Sequence, residues 1–248
     1  KEPERVRKLL QGSANLEFWE TYDLAEILPQ ISQINNEFAA QNASTEAAQA
    51  EAAPAKEEAK AEAEVEDELD ALVEDLAADS LAQAEADQEA ALEEYKKANP
   101  LFAVLNPSVS PSGQPYQGPV VGTVHYTDTA KVMAMLNSQV AKTVLPRELR
   151  LCWTVKAIDE AESFYQLVAL KSQTNGRPSL EGDVITDARA DFGQTSAYAN
   201  VSMTMNAEGA RDWQRITRDN IGKSIAIVLD GYVYSFPTVQ NEIAGGSS

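Results

Sequence analysis

Most of the charge of this chain sits in one place. Residues 41–95 hold 18 of the 39 acidic residues and 2 of the 20 basic ones, with 18 alanines, no glycine and no aromatic residue before Tyr95. A segment of that composition has almost nothing to bury. Whatever core the 248 residues build must come from the flanks, which are close to neutral although the whole carries −19. At roughly 100–200 residues per domain, the length allows one large domain or two small ones. So acidic a chain repels phosphate backbones, which argues against a nucleic-acid partner.

The acidic segment reads in two halves. Residues 41–60 are Ala/Glu-rich and contain Pro54, the composition of a mobile linker or a frayed helix. From Val65 a stripe of Val65, Leu69, Leu72, Val73 and Leu76 recurs at spacings of four and three, one face of a helix. This predicts a helix or helical hairpin over about residues 57–97, ended by Asn99-Pro100 because proline disfavours helix in the residue before it. The run Glu64, Glu66, Asp67, Glu68 and Asp70 lacks the turn glycine of a calcium loop, so a solvated face is expected.

The flanks are patterned. Residues 3–11 fit a short amphipathic helix through Val6, Leu9 and Leu10, and Asn15–Thr21 alternates as a strand. Asp23 then caps a helix carrying Leu24, Ile27, Leu28, Ile31, Ile34 and Phe38, with Pro29 expected to kink it. Residues 100–119 are rich in proline and serine and read as loop. Val120–Tyr126 is a strand, followed by a helix with Val132, Met133, Leu136 and Val140 inward. Leu149–Lys156 and Phe164–Lys171 form two strands about the acidic turn Asp159–Glu162. In the last third, strand Ala199–Met205 leads through the N-cap Asn206 to a helix burying Ala210, Trp213 and Ile216, which Gly222 closes. Ser224–Leu229 and Tyr232–Phe236 form a hairpin about Asp230-Gly231. This order predicts an α+β fold, a mostly antiparallel sheet with helices on one face.

No catalytic constellation is visible, so no enzymatic activity, cofactor or metal is expected. His125, the single histidine, lies in a strand-like run and reads as structural, and Cys152 beside Trp153 reads as buried and inert. Phosphate-cradling glycine loops and the serine-hydrolase elbow are missing. Asn42-Ala43-Ser44 and Asn200-Val201-Ser202 match a glycosylation triplet that arises often by chance. No apolar run approaches the roughly 18–20 residues that span a bilayer, so the chain is expected to be soluble, a piece excised from something longer.

Several blocks are more specific. Leu180-Glu181-Gly182-Asp183-Val184-Ile185-Thr186-Asp187-Ala188 precedes Val201-Ser202-Met203-Thr204-Met205-Asn206-Ala207-Glu208-Gly209-Ala210. Then come Thr217-Arg218-Asp219-Asn220-Ile221-Gly222-Lys223, Ile225–Gly231 and Ser235-Phe236-Pro237. With Glu4–Gly12 and Asn15–Phe18, these resemble the first large periplasmic domain of the SecD family, accessory subunits of the bacterial Sec translocase. The resemblance implies a ferredoxin-like base, residues 1–23 with 163–248, and an inserted, partly helical head, residues 24–162, with the acidic helical segment at about 41–98.

It also implies a soluble domain on the periplasmic side of the inner membrane, within a multi-pass protein. That domain would bind unfolded preprotein and pass on conformational change driven by the proton gradient, with SecF and the SecYEG channel as partners. Such a domain needs an apolar contact surface and a hinge. Leu101, Phe102, Val104, Leu105 and Tyr116 are the candidate polypeptide contacts, and Tyr22, Asp23, Leu24, Ile158 and Asp159 the candidate hinge. An RND-type efflux subdomain shares the architecture without these blocks. An acylphosphatase-like hydrolase would need an anion loop with an arginine, and an RNA-binding sheet would need aromatics where Met203 and Met205 stand.

Overall fold

The computed structural model describes residues 15–50, 90–192 and 199–244. Two compact units divide the chain: residues 1–31 with 105–248, and residues 32–104. The expected helix at 3–11 and the stripe beginning at Val65 lie outside the described residues.

In the larger unit the elements in chain order begin with strand β1 (Leu16–Thr21) and helix α1 (Leu24–Ala50), whose length carries it into the second unit. After the helical residues 90–98, α2, which lie in the second unit, short strand β2 (Asn106–Pro107) and β3 (Val120–His125) follow, then helices α3 (Thr129–Leu136) and α4 (Gln139–Val144). Strands β4 (Leu149–Trp153), β5 (Phe164–Lys171), β6 (Leu180–Glu181), β7 (Ile185–Phe192) and β8 (Ala199–Met205) lead to helix α5 (Ala207–Asp219). The hairpin of β9 (Ile225–Leu229) and β10 (Tyr232–Ser235) completes the unit.

The α+β class expected from the sequence is the one that forms. Eight strands make one sheet in the order β10-β9-β1-β5-β3-β2, with β4 on β5 and β6 on β1, while β7 and β8 form a separate ribbon. The named strand pairs are antiparallel. β1 near the start of the chain pairs with β9 near its end, from Leu16 opposite Leu229 to Glu20 opposite Ile225. Thr154, just beyond β4, bridges Val233 of β10, so β4 and β10 meet and close a ring through β5, β1 and β9.

Alternation along β1 and β9 sends successive side chains to two opposite faces of the sheet. Phe18 and Ile225 join Leu180, Met205, Trp213, Ile216 and Val239 on the face beneath α5. Trp19, Ala226 and Val228 join Val168, Leu170 and Val233 on the other. The β9–β10 turn has Asp230 at φ 51° and Gly231 at φ 83°. Two left-handed residues match the twist of the flanking strands. Asn206 caps α5 by accepting hydrogen bonds from the amides of Glu208 (3.1 Å) and Gly209 (2.8 Å).

In the smaller unit, buried Asn35 organises the return of the chain. Its Oδ1 accepts from the amides of Leu101 (3.1 Å) and Phe102 (3.3 Å), and its Nδ2 donates to Asn99 Oδ1 (3.1 Å). Helix α2 stops before Asn99-Pro100, as expected.

Three elements depart from the sequence reading. α1 continues through Ala50, into the stretch expected to be linker or frayed helix, because nothing before Pro54 interrupts its good helix formers. The single helix expected after β3 is two. Ser138 is extended (φ −63°, ψ 165°) and its hydroxyl caps α4 through the Ala141 amide (3.2 Å), so Ala141 rather than Val140 is the buried residue there. The expected boundary at residues 162/163 does not divide the fold. Strands β3 and β4, placed in the inserted head by sequence, pair with β5 in the same sheet, and the compact units part near residues 31 and 104 instead. Backbone pairing across β5 joins residues on both sides of the boundary that the resemblance implied.

Candidate functional site

A half-open apolar groove of about 710 Å³ lies in the larger unit, within the roughly 300–1,000 Å³ typical of ligand clefts. Leu16 of β1 and Ile225, Ile227 and Leu229 of β9 form its floor. Trp213 and Thr217 of α5 form one side, and Ala188 and Met203 of the β7–β8 ribbon contribute another stretch of lining. Ser235 at the end of β10 and the segment from Pro237 to Ile243 complete it. None of the lining residues is ionisable, in a chain with 59 Asp, Glu, Lys and Arg residues.

The parts are placed by simple constraints. The period of two sends Ile225 and Ile227 to the α5 side of the sheet. α5 carries Trp213, Ile216 and Thr217 inward at spacings of three and four. Gly209 lets this helix close on the chain before β7, since a Cβ there would lie 2.6 Å from Val184 Cβ. Thr217 is engaged, donating to the Trp213 carbonyl (2.8 Å) and accepting from the Ile243 amide (3.0 Å), which fastens the last segment. Trp213 stacks edge-on against Phe18 with ring centres 5.1 Å apart at 64°. Its indole nitrogen is buried and finds no hydrogen-bond acceptor among the described residues.

The residues singled out by sequence are scattered. Leu101 and Leu105 are fully buried, so neither offers a contact surface while the fold is intact, whereas Tyr116 is exposed and Phe102 and Val104 are half-buried. These side chains look like apolar surface in sequence because loop composition does not reveal which of them pack inward. The hinge candidates all lie inside the larger unit and are fastened there. The Tyr22 amide donates to the Ala169 carbonyl (3.1 Å), Leu24 to Gly118 (2.9 Å), and Glu26 to Asp23 (2.9 Å). Ile158 donates to Phe164 (2.9 Å). Asp159 accepts from the amides of Phe164 (2.8 Å) and Ser163 (3.0 Å), and the Phe164 N–H is the main reason its carboxyl is held below the usual carboxylate range.

His125 pairs its Nδ1 with Thr127 Oγ1 at 2.7 Å and packs against the rings of Tyr126 and Phe164. Cys152 sits against the Trp19 face, where burial pushes its thiol up to about 11. Among the described residues no cluster of three His, Cys, Asp or Glu side chains is placed to hold a metal, and no helix is long and apolar enough to cross a membrane.

The sequence reading missed the groove, although it named Trp213 as buried and placed Met203 and the β9 residues in strands. The available signal was the apolar tail after β10: Val239 and Ile243 sit in a stretch with no helix or strand period, and so must cover something.

The described residues of the larger unit thus form an α+β fold with an apolar groove whose lining carries no ionisable side chain. Residues 160–248 match the family model described as SecDF, P1 head subdomain. A protein translocase subunit SecD of Rhodothermus marinus is 40% identical over 153 residues, 60% of this chain and 23% of that protein. A protein translocase subunit SecDF of Thermus thermophilus is 44% identical over 79 residues, 32% of this chain and 11% of that protein. A crystal structure of SecDF, a translocon-associated membrane protein of the same organism, shares 46% identity over 29% of this chain and 10% of its own, at a TM-score of 0.27. The chain thus matches less than a quarter of the length of these two curated relatives. Over these stretches it is similar to SecD and SecDF subunits, and residues 160–248 are similar to the P1 head subdomain. The matched family model names residues 160–248 head, the stretch that the resemblance was expected to supply as base.

Proposed function

We propose that this P1 domain holds unfolded polypeptide during export on the periplasmic side of the bacterial inner membrane. In this reading it serves a SecD subunit that works with SecF and the SecYEG channel, and its conformational changes are driven by the proton gradient. The observation that carries the proposal is the groove: about 710 Å³, apolar, and free of ionisable lining residues. Unfolded clients share exposed apolar side chains and little else, so a surface that must accept many of them should ask for hydrophobicity rather than a particular charge pattern. The relatives are named translocase subunits, which supports a holding role rather than catalysis.

The larger unit carries the groove. The excursion through residues 32–104 is an elaboration of the domain, and any hinge belongs where the units part, near residues 31 and 104. Of the sequence candidates, Phe102, Val104 and Tyr116 keep enough surface to contribute secondary contacts. Titration with a labelled, reduced and unfolded secretory protein tests the proposal. Saturable binding that is lost when Ile227 and Met203 are replaced by serine is expected. A folded domain showing no binding at millimolar concentration would sink it.

A further inference from the structure

We propose that the pocket lined by Tyr126, Trp153, Tyr165 and Tyr232 is a second binding site, which takes an extended, proline-containing peptide segment carrying a basic residue. It lies apart from the groove, and the two share no lining residue. Its volume is about 280 Å³, just below the roughly 300–1,000 Å³ of ligand clefts, which suits a few ring-sized side chains rather than a whole ligand. Thr129, Thr154 and Val155 complete the lining, so no charged side chain enters it.

Four separate pieces of chain deliver these rings. Tyr126 follows β3, Trp153 ends β4, Tyr165 lies near the start of β5 and Tyr232 opens β10. Thr154 bridges Val233, which brings Trp153 and Tyr232 together across the β4–β10 seam. Their neighbours Cys152 and Val233 pack on the Trp19 face, so alternation sends Trp153 and Tyr232 to the other side. The rings are within reach of a ligand: Tyr126 is 57% and Tyr232 47% exposed, and Trp153 and Tyr165 are half-buried. Nine large hydrophobic residues are exposed among the described ones, and five of them (Tyr126, Ile158, Phe164, Tyr232 and Tyr234) lie on these strands or the turns beside them. A sheet face left to solvent is ordinarily polar, and aromatic residues gathered on one mark an interaction surface.

The chemistry of the lining selects the occupant. Polyproline II segments dock against flat, rigid aromatic rings; such a helix is already extended by its prolines and loses little entropy on binding. Charge sets what flanks the prolines. The turn that joins Val155 to Tyr165, both on the lining, carries Asp159, Glu160 and Glu162 against Lys156 alone. Glu160 and Glu162 are exposed, and the Asp159 carboxylate holds the turn in shape by accepting from the amides of Ser163 and Phe164. A basic residue beside the prolines is the complement of that turn.

The test titrates the unsubstituted 248-residue chain into a capped peptide in which an arginine precedes a run of prolines, followed by NMR. The expected result is saturable binding with upfield, ring-current shifts of the proline ring protons. Tyr126→Ala and Tyr232→Ala, both at exposed positions, should each weaken binding roughly 5- to 10-fold. Replacing the peptide's prolines by alanine should weaken it comparably, and replacing its arginine by glutamine should weaken it at low salt. Met203→Ser, in the groove, should leave it unchanged. No binding at millimolar peptide, or unchanged affinity in both tyrosine variants, overturns the proposal. Equal affinity for the alanine peptide overturns it too, since the pocket would then be a general apolar contact. So does equal affinity for a capped arginine alone, the behaviour of a cation site. Affinity that ignores the arginine at low salt overturns the basic flank. Loss of binding in Met203→Ser moves the peptide to the groove and overturns the second site, leaving the groove reading standing. The proline shifts are read in the unsubstituted protein, so the answer does not depend on a variant folding.

Discussion

β1 and β9 each have two buried faces, and the two faces are finished differently. On the Trp19 side, Val168, Leu170, Ala226, Val228 and Val233 are all at most 1% exposed. That face also satisfies its tryptophan, through Glu17. On the Phe18 side the strands carry equally apolar residues, but the cover is assembled from α5, the β7–β8 ribbon and the segment after β10. These pieces leave a groove and an indole N–H without an acceptor among the described residues. Similar apolar strands can thus serve stability on one side and binding on the other. What decides is whether the covering layer fills the space above them.

The contrast can be broken in a definite order. Leu170→Ala on the filled face should cost about 2–5 kcal/mol in urea unfolding, because little around a fully buried leucine can relax. Affinity of the folded fraction for unfolded polypeptide should not change; a parallel loss of affinity would mean that the faces are not separable. The thiol of Cys152 gives a pH probe of the same face. Its folded pKa is raised from 9.0 to about 11, chiefly by burial. The folded state therefore holds the proton more tightly, and the associated stability is present below 9.0 and lost as pH rises toward about 11. The loss is on the order of 2 kcal/mol, and it should be absent from the same titration of Cys152→Ala.

On the groove face, Gly209→Ala should cost about 1–3 kcal/mol by overpacking against Val184, and Val184→Ala in the same chain should recover part of it. Asn206→Ala removes the cap of α5 and should cost about 1 kcal/mol, lowering the thermal midpoint. Met203→Ser at the groove should change stability least, by less than about 1 kcal/mol, while weakening the binding of unfolded polypeptide several-fold. If Met203→Ser destabilises as much as Leu170→Ala, the groove is a defect of packing and not a site.

How much of this was legible beforehand depended on how local each cause is. β1, β3, β5, β8, α5 and the Asp230-Gly231 hairpin were readable because alternation, capping and turn chemistry act over a few residues. The ribbon strand β7 was not. Its register shifts between Ile185 and Asp187, which spoils the period of two in ITDARADF. The division between α3 and α4 was hidden because Ser138 acts as a cap only once the chain turns there. Leu101 and Leu105 passed for contact surface since proline-rich flanks mark loop, and a loop can still send side chains inward.

The sequence by itself determined where a core could form, the α+β class, most strand and helix positions and, through the ordered blocks of residues 180–237, the resemblance to SecD. Composition and short-range periodicity suffice for these, because they are set by residues within a turn or a strand of one another. Only the tertiary structure decided that β3 and β4 share a sheet with β1 and β9, that the units part near residues 31 and 104, and that a groove opens beneath α5. Those outcomes depend on how elements far apart in sequence meet, and a groove is the space left where such surfaces fail to fill one another.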